Sequence, residues 1–412
     1  MKRYRRTVAS QYLVVILIFA SIVGLSLLSA FVMFRVPFTD YFAIPWAAGR
    51  AWLLEGESPY APTIANIAQS TIDDSGLMGV LPETRVLTLP LLTLVFYLPF
   101  SLIPYTISRI IWVVILAVSI GLTIYLSIRF SGWKLPSIGK FFVVVLMISW
   151  LPSAKAILTG QLSPIIIALT FLALYLLLLG QETTAGFILA LTLSSFPGVG
   201  FILIFLLVWS ISQKQWSVLS SFFSGVAFLL LLSWLILPAW FMDWASIIFN
   251  LYFDWQWINT PLMNLATLLP GIADFLSIFL HAAFILFGIF LLITALGKSG
   301  RVFIFKLCAI LIIAYLVNVQ NMIIYLLFVG PAAFMVFRYW SARWHLFGNI
   351  LSWGILLSLC FGSWLLVLQD IDFTGTFNVP ILSIAFPLII MLGLFWIRWW
   401  ALRLPELPYK TS

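Results

Sequence analysis

Apolar residues dominate the chain in runs of helix-compatible length, parted by short polar turns. The runs fall near 11–34, 109–128, 140–157, 163–180, 185–195, 198–211, 217–237, 275–297, 303–318, 321–337, 346–368 and 381–401. Most approach the roughly 20 residues that a bilayer-crossing helix needs. The pattern predicts about twelve spans in an all-α, polytopic transmembrane helical bundle. Two runs are too short. Ala185–Ser195 would rise only ~16 Å at 1.5 Å per residue, against a hydrocarbon core of about 30 Å, and Gly198–Ile211 is little longer. The break between them, Ser194-Ser195-Phe196-Pro197-Gly198, is polar and helix-breaking. Such backbone persists at membrane depth only when buried in protein or facing a wet cavity. We expect it to mark a cavity at one end of the bundle.

The longest polar interruption, 35–108, follows the first run and is expected to carry amphipathic surface helices. Pro45 suits the first turn of a short helix, Gly56 suits its C′ position, and Trp46, Ala47, Leu53 and Leu54 give it an apolar side. Asp73 and Asp74, in TIDDSG, read as a solvated flexible turn. Leu89–Ile103 is apolar but short and bounded by Pro90, Pro99 and Pro104. If it crossed the membrane, every later basic loop would be inverted. If it lies at the surface, all lysines and arginines fall on the cytoplasmic side except Arg35, Arg50, Arg85, Arg109 and Lys155. Among the acidic residues only Glu182 and Glu406 join them there. The second reading satisfies the positive-inside rule and places both termini in the cytoplasm.

Composition agrees. The 412 residues are 63% hydrophobic and 8% charged, with a mean hydropathy of +1.15, which excludes a soluble globular domain. The net charge of +8 is explained by its distribution and is no nucleic-acid signal. Lys2–Arg6 and the run after them read as a first transmembrane helix. The run is too long for a signal peptide and lacks a small-x-small cleavage site. Residues 1–10 and 402–412 are then cytoplasmic tails around a single transmembrane domain, 11–401. Cys308 and Cys360 lie in apolar helices and read as packing residues.

There is no P-loop, no G-x-G-x-x-G and no H-E-x-x-H. His345 is cytoplasmic, and His281 reads as a hydrogen-bonded packing residue. What remains for chemistry is a set of outer carboxylates, a few outer cations and many tryptophans. Asp40 stands just past the first span, between bundle and loop, and a carboxylate there can act as a general base or simply be solvated. Arg50, Arg109 and Lys155 are retained on a face poor in cations. They are candidates for an anionic headgroup or for pairing with nearby carboxylates. Tryptophans of the 239–259 loop anchor at the interface or stack on sugar.

The pattern Asp40-Tyr41, AAGRAWLLEGESPY, the proline-bounded LTLPLLTLVFYLPFSLIP, Gly160-Gln161, Ala185-Gly186 and NTPLMNL from Asn259 together resemble the GT-C membrane glycosyltransferases. The closest resemblance is to glycosyltransferase family 87, from about residue 11 to about residue 340. The chain departs from that family where Phe196-Pro197 stands for its usual Lys-Pro, and where Asn318–Asn321 stand in place of frequent histidines. The resemblance implies a GT-C-like fold and a hexosyltransferase. The enzyme would move a mannose-like sugar, with inversion, from a polyprenyl-phosphate donor to an extracytoplasmic glycan, glycolipid or lipid.

Carried over to this sequence, Asp40 is the catalytic base, kept ionised by a cation such as Arg50. Arg50, Arg109 and Lys155 are donor-phosphate candidates, and Tyr41, Tyr60, Gln161 and Asn259 are substrate-cavity candidates. No metal and no cofactor are called for; membrane lipids are partners and nucleic acid is not. As an exposed loop carboxylate, Asp40 would contribute little to stability. A lipid or glycan transporter, or a catalytically degenerate scaffold, remains an alternative.

Overall fold

Long apolar runs without internal proline fold as expected into long helices. The computed structural model describes residues 16–253 apart from 18, 21, 22, 25, 26 and 29, together with 260–266, 269–318, 323–365 and 381–401. Residues 16–33 are helical wherever described, and the chain then turns into β1 (Phe38–Thr39), α1 (Ala43–Glu55), α2 (Thr63–Ser75) and β2 (Gly79–Val80). The bundle follows as α3 (Tyr105–Ser131), α4 (Ser137–Ser149), α5 (Leu151–Thr159), α6 (Ser163–Leu178), α7 (Glu182–Thr192), α8 (Phe196–Ser212) and α9 (Trp216–Ile236). It continues through α10 (Trp240–Phe253), α11 (Ala273–Ala295), α12 (Gly300–Leu316), α13 (Gly330–Leu365) and α14 (Phe386–Ala401).

Among the described residues, five continuous helical stretches are long and apolar enough to cross a bilayer, or six if α4 and α5 count as one bent span. The expected count of about twelve is not reached by length alone. The chain breaks several runs, and the 16 residues of α6 rise only ~24 Å. The expected single span at 140–157 is broken. Trp150 is extended (φ −62°, ψ 139°), and α4 and α5 meet there at 61°. Pro152 lacks the N–H that would continue the helix, so it begins a new one.

Two of the five stretches, 182–212 and 323–365, are helical throughout yet are not single rods. In the first, Ser195 leaves helical geometry (φ −133°, ψ 53°). A Cβ at Gly186 would fall on Ser221 and the Val218 carbonyl, and one at Gly225 on Ala190 and Phe187. Sequence numbers rise together across that contact, so α7 and α9 run parallel, and α8 between them must run back. The break expected at 194–198 is therefore a reversal. Among the described residues its polar groups are partly tied to protein: Thr93 Oγ1 donates to the Ser194 carbonyl at 3.4 Å, Ser195 Oγ and Tyr325 OH lie 3.0 Å apart, and Asn318 Nδ2 donates to the Gly198 carbonyl at 3.2 Å, while Phe196 and Pro197 are exposed. In the second stretch His345 (φ 43°, ψ −109°) interrupts α13. Trp133 packs on both Phe337 and Trp353, so the two halves lie side by side. The separate runs expected at 321–337 and 346–368 match this reversal.

Gly186 and Ala190 of α7 meet Ser221 and Gly225 of α9. Small residues four apart on each helix let the backbones approach, the usual device where hydrophobicity cannot drive helices together in lipid. Gly186→Leu is expected to destabilise the protein by about 1–3 kcal/mol through overpacking, read as a fall in thermal midpoint in detergent. Gly354→Leu, on the half of α13 after its kink and with open space at its Cβ position, should leave the midpoint nearly unchanged.

The polar interruption is mostly helical. The short helix expected after Pro45 is α1, ended by Gly56 in the left-handed region (φ 69°). Asp73 and Asp74 lie inside α2, not in a flexible turn, because the reversal waits for Gly76 (φ 69°). Leu89–Ile103 forms six residues of 3-10 helix, Leu91–Phe96, and one α-turn, Leu98–Ser101, too short to cross a bilayer. It is tied to α1 by Trp46 Nε1 donating to the Phe100 carbonyl at 2.8 Å. Cys308 and Cys360 are buried and free. His281 Nε2 lies 2.7 Å from Thr260 Oγ1 and its Nδ1 2.7 Å from the Ser277 carbonyl, so it is hydrogen-bonded within the packing, as expected.

Candidate active site

Asp40 is held through its backbone and both carboxylate oxygens. Its N–H donates to the Val80 carbonyl at 2.8 Å, extending the parallel pairing of β1 with β2. Its Oδ1 accepts the Phe42 N–H at 2.9 Å, an Asx turn that leads into α1. Its Oδ2 accepts Arg109 Nε at 3.2 Å and the Tyr105 hydroxyl. The next residue, Tyr41, donates its N–H to the Thr159 carbonyl at 2.9 Å. The segment is thereby pinned to the end of α5.

Asp40 and Arg109 are both 0% exposed, and this corrects two expectations. Asp40 is not an exposed loop carboxylate, because aromatic residues from α1, the 91–101 segment and α3 close over it. Its cation is Arg109, not Arg50. The Arg109 guanidinium also donates to the Leu158 carbonyl and, at 3.5 Å, to the Ile157 carbonyl. It lies within 6 Å of both the Phe38 and Phe42 rings. Three elements thus converge on one planar fork, which suits Arg and not Lys. Gly160 makes the approach possible: it ends α5 at φ +71°, and a Cβ there would stand 2.9 Å from Phe42 Cβ and 3.0 Å from Arg109 Cζ. Trp112 Nε1 donates to the Gly160 carbonyl at 3.0 Å.

Beside this buried pair lies an open cleft of about 440 Å³, lined by Trp46, Arg50, Asp74, Ser75, Leu102 and Tyr105 among others. Arg50 Nη1 donates to the Ser101 carbonyl at 3.2 Å, and the guanidinium sits over the Trp46 ring at 5.4 Å. Trp46 in turn packs edge-on against Tyr105 at 5.3 Å. This opening lies between α1, α2 and the start of α3, with Tyr105 between it and the carboxylate.

The other predicted residues scatter around this centre. Lys155 is buried in α5 one turn before Thr159, whose hydroxyl donates to the Lys155 carbonyl at 2.8 Å. Gln161 is buried just past Gly160. Tyr60 OH donates to the Leu89 carbonyl at 3.1 Å, away from the cleft lining. Burial, with Asp243 nearby, pushes the Tyr60 phenol up; burial and Glu83 do the same for Tyr41. Both stay neutral at physiological pH. Asn259 lies outside the described residues. Among the described residues no three His, Cys, Asp or Glu side chains are grouped to hold a metal ion.

Two residues at the centre escaped sequence reasoning. Tyr105 was legible in principle, since Pro104 ends the surface segment and Tyr105 and Arg109, four apart at the helix start, share a face. Asp74 came to the cleft only through the packing of α2.

The family model of glycosyltransferase family 87 matches residues 88–319. The matched stretch includes Tyr105, Arg109, Lys155 and Gln161 and begins after Asp40. No curated protein and no solved structure matches the chain.

Proposed function

The chain belongs to glycosyltransferase family 87, and from that premise we propose that it transfers a mannose-like hexose from a polyprenyl-phosphate donor to an extracytoplasmic glycan, glycolipid or lipid, with inversion. The observation that carries the reading is the buried Asp40–Arg109–Tyr105 set next to a cleft lined by an arginine, an aspartate and a tryptophan. The exposed Asp74 carboxylate offers a sugar hydroxyl a partner, and Trp46 underlies the Arg50 guanidinium at the cleft wall.

Asp40 serves as the general base for the acceptor hydroxyl. Arg109 pairs with the carboxylate at 3.2 Å and offsets its charge in a buried setting. Of the three cations proposed for the donor phosphate, Arg109 is committed to Asp40 and to two carbonyls, whereas Arg50 lines the cleft. Arg50 is the phosphate contact. Leu102 lines the cleft and is 61% exposed, and Ile107 and Ile111 are exposed on the helix that follows. These residues give an isoprenoid tail an apolar path into lipid.

Arg129, Lys298 and Arg338 sit at the opposite end of the bundle from Asp40, where Arg338 donates to the Ser131 carbonyl and Gln213 to that of Lys298. The positive-inside rule then faces the Asp40 end away from the cytoplasm and keeps both termini inside, around a single transmembrane domain.

The test is transfer of labelled mannose from polyprenyl-phosphate mannose into a lipid and glycan extract by the purified protein in nanodiscs. New glycosidic product is expected. Passage of the labelled lipid across vesicles without product would make the protein a transporter and sink the reading. Arg50→Gln should raise the donor KM about tenfold or more, because a hydrogen bond to a charged group contributes about 1.5–3 kcal/mol. Unchanged donor dependence in Arg50→Gln, with a rise in Lys155→Gln, would move the phosphate to α5.

A further inference from the structure

A carboxylate that accepts a proton from a substrate must be reached by it, and Asp40 is 0% exposed. Its Oδ1 is occupied by the Phe42 N–H and its Oδ2 by Arg109 Nε and the Tyr105 hydroxyl. Of these three donors, among the described residues, only Tyr105 also lines the cleft. It is the first residue of α3, held by the Trp46 ring on one side and by Phe42 at 6.1 Å on another. A phenol hydroxyl both donates and accepts. While its proton points at Asp40, its oxygen keeps lone-pair capacity; the residue is 5% exposed, so only its edge on the cleft is open to an arriving hydroxyl.

We propose that the cleft between α1, α2 and the start of α3 is the acceptor site, and that Tyr105 relays the acceptor's proton to Asp40. The inference rests on the glycosyl-transfer reading above and specifies where its acceptor sits. The acceptor is a carbohydrate hydroxyl, seated in the cleft with the exposed Asp74 carboxylate as a hydrogen-bond partner. In the step, the acceptor O–H proton passes to Tyr105 Oη as the Tyr105 proton passes to Asp40 Oδ2. The freed oxygen lone pair forms the new bond to the anomeric carbon. The bond from that carbon to the phosphate oxygen breaks, and its electron pair leaves on the polyprenyl phosphate. Tyr105 ends neutral and Asp40 ends protonated beside Arg109. Trp46 has a positioning role: its ring packs on Tyr105 and its Nε1 is anchored to the Phe100 carbonyl.

The experiment uses the full-length protein in nanodiscs, with polyprenyl-phosphate mannose as donor and the membrane extract as acceptor. Tyr105→Phe should lower kcat by about 10²–10⁴-fold, the span of general acid–base catalysis. Because that variant also removes a buried hydrogen bond, a second series replaces Tyr105 by mono-, di- and trifluorotyrosine, which keep the ring and hydroxyl while making the phenol progressively more acidic. The expected results are a rate that changes monotonically along the series and a solvent deuterium isotope effect on wild-type kcat that shrinks in Tyr105→Phe. A structural role for the hydroxyl would move neither. The fluorine resonance of the monofluorotyrosine variant should shift when the extract is added without donor.

If wild type transfers sugar but the fluorinated series keeps one rate and the isotope effect persists in Tyr105→Phe, the relay is overturned and the transferase reading stands. If wild type makes no product from this donor, both fall. If the fluorine signal ignores the extract while transfer proceeds, the acceptor site lies elsewhere and the proposal is overturned.

Discussion

Asp40→Asn is expected to reduce sugar transfer by about 10²–10⁴-fold and, at the same time, to lower the thermal midpoint substantially. The first effect follows from losing the base. The second follows from burial. The substituted side chain retains an oxygen for the Phe42 N–H, but its neutral amide cannot balance Arg109, and its NH₂ faces the Tyr105 and Arg109 donors that now meet at Oδ2. Removing one partner of a buried ion pair typically costs about 3–5 kcal/mol. A solvated loop carboxylate would cost almost nothing. Turnover per folded molecule beside thermal unfolding of the same preparation separates the two effects. Near-normal turnover would remove Asp40 from the mechanism, and an unchanged midpoint would contradict its burial with Arg109.

The complementary result concerns Arg109. Arg109→Met leaves the Asp40 carboxylate buried among Phe38, Phe42, Tyr97 and Tyr105 with only the Tyr105 and Phe42 donors. A loss of about 3–5 kcal/mol is again expected. Arg109→Lys should rescue little, because an ammonium is a point charge and cannot reach Asp40 and the α5 carbonyls in one fork. Combining Asp40→Asn with Arg109→Met removes both charges, so the double variant should be more stable than the sum of the two losses allows, a coupling of the kind that pairs in direct contact show. Activity should not return with stability. If it does, the pair is a structural clamp between β1, α3 and α5 and the base lies elsewhere. If the losses add, the two charges do not interact in the folded protein.

These results bear on how far one dimension of information reaches. The many apolar helices, the all-helical fold, the α1 helix with its Gly56 stop and the breaking of Leu89–Ile103 into helices too short to cross a bilayer were all legible in the sequence. Each depends on neighbours within a few residues: run length, a proline, a glycine able to take positive φ. The reversal at Ser194–Gly198 was legible for the same reason. So was the family, since its motifs are local strings. The kink at Trp150 had its proline in view, but the run around it was apolar enough to read as one span.

What the sequence could not reveal was which outer charges meet. Arg50 lies nearer to Asp40 in the chain than Arg109, and only packing shows that α3 brings Arg109 to the carboxylate while α1 turns Arg50 toward the cleft. The burial of Asp40 was hidden as well, because hydropathy treats a residue by its type. Its exposure is set by Tyr105 and Arg109, which bond it from α3, and by Phe42, whose ring packs on Tyr97 and Tyr105 beside it. The sequence by itself thus determined that the chain is helical and where several helices stop, at Gly56 and at Ser194–Gly198 among them, because backbone hydrogen bonding and turn sterics are local. The tertiary structure alone decided that a surface aspartate becomes a buried, paired one behind a tyrosine, because charge pairing and solvent exclusion depend on distances between residues far apart in the chain.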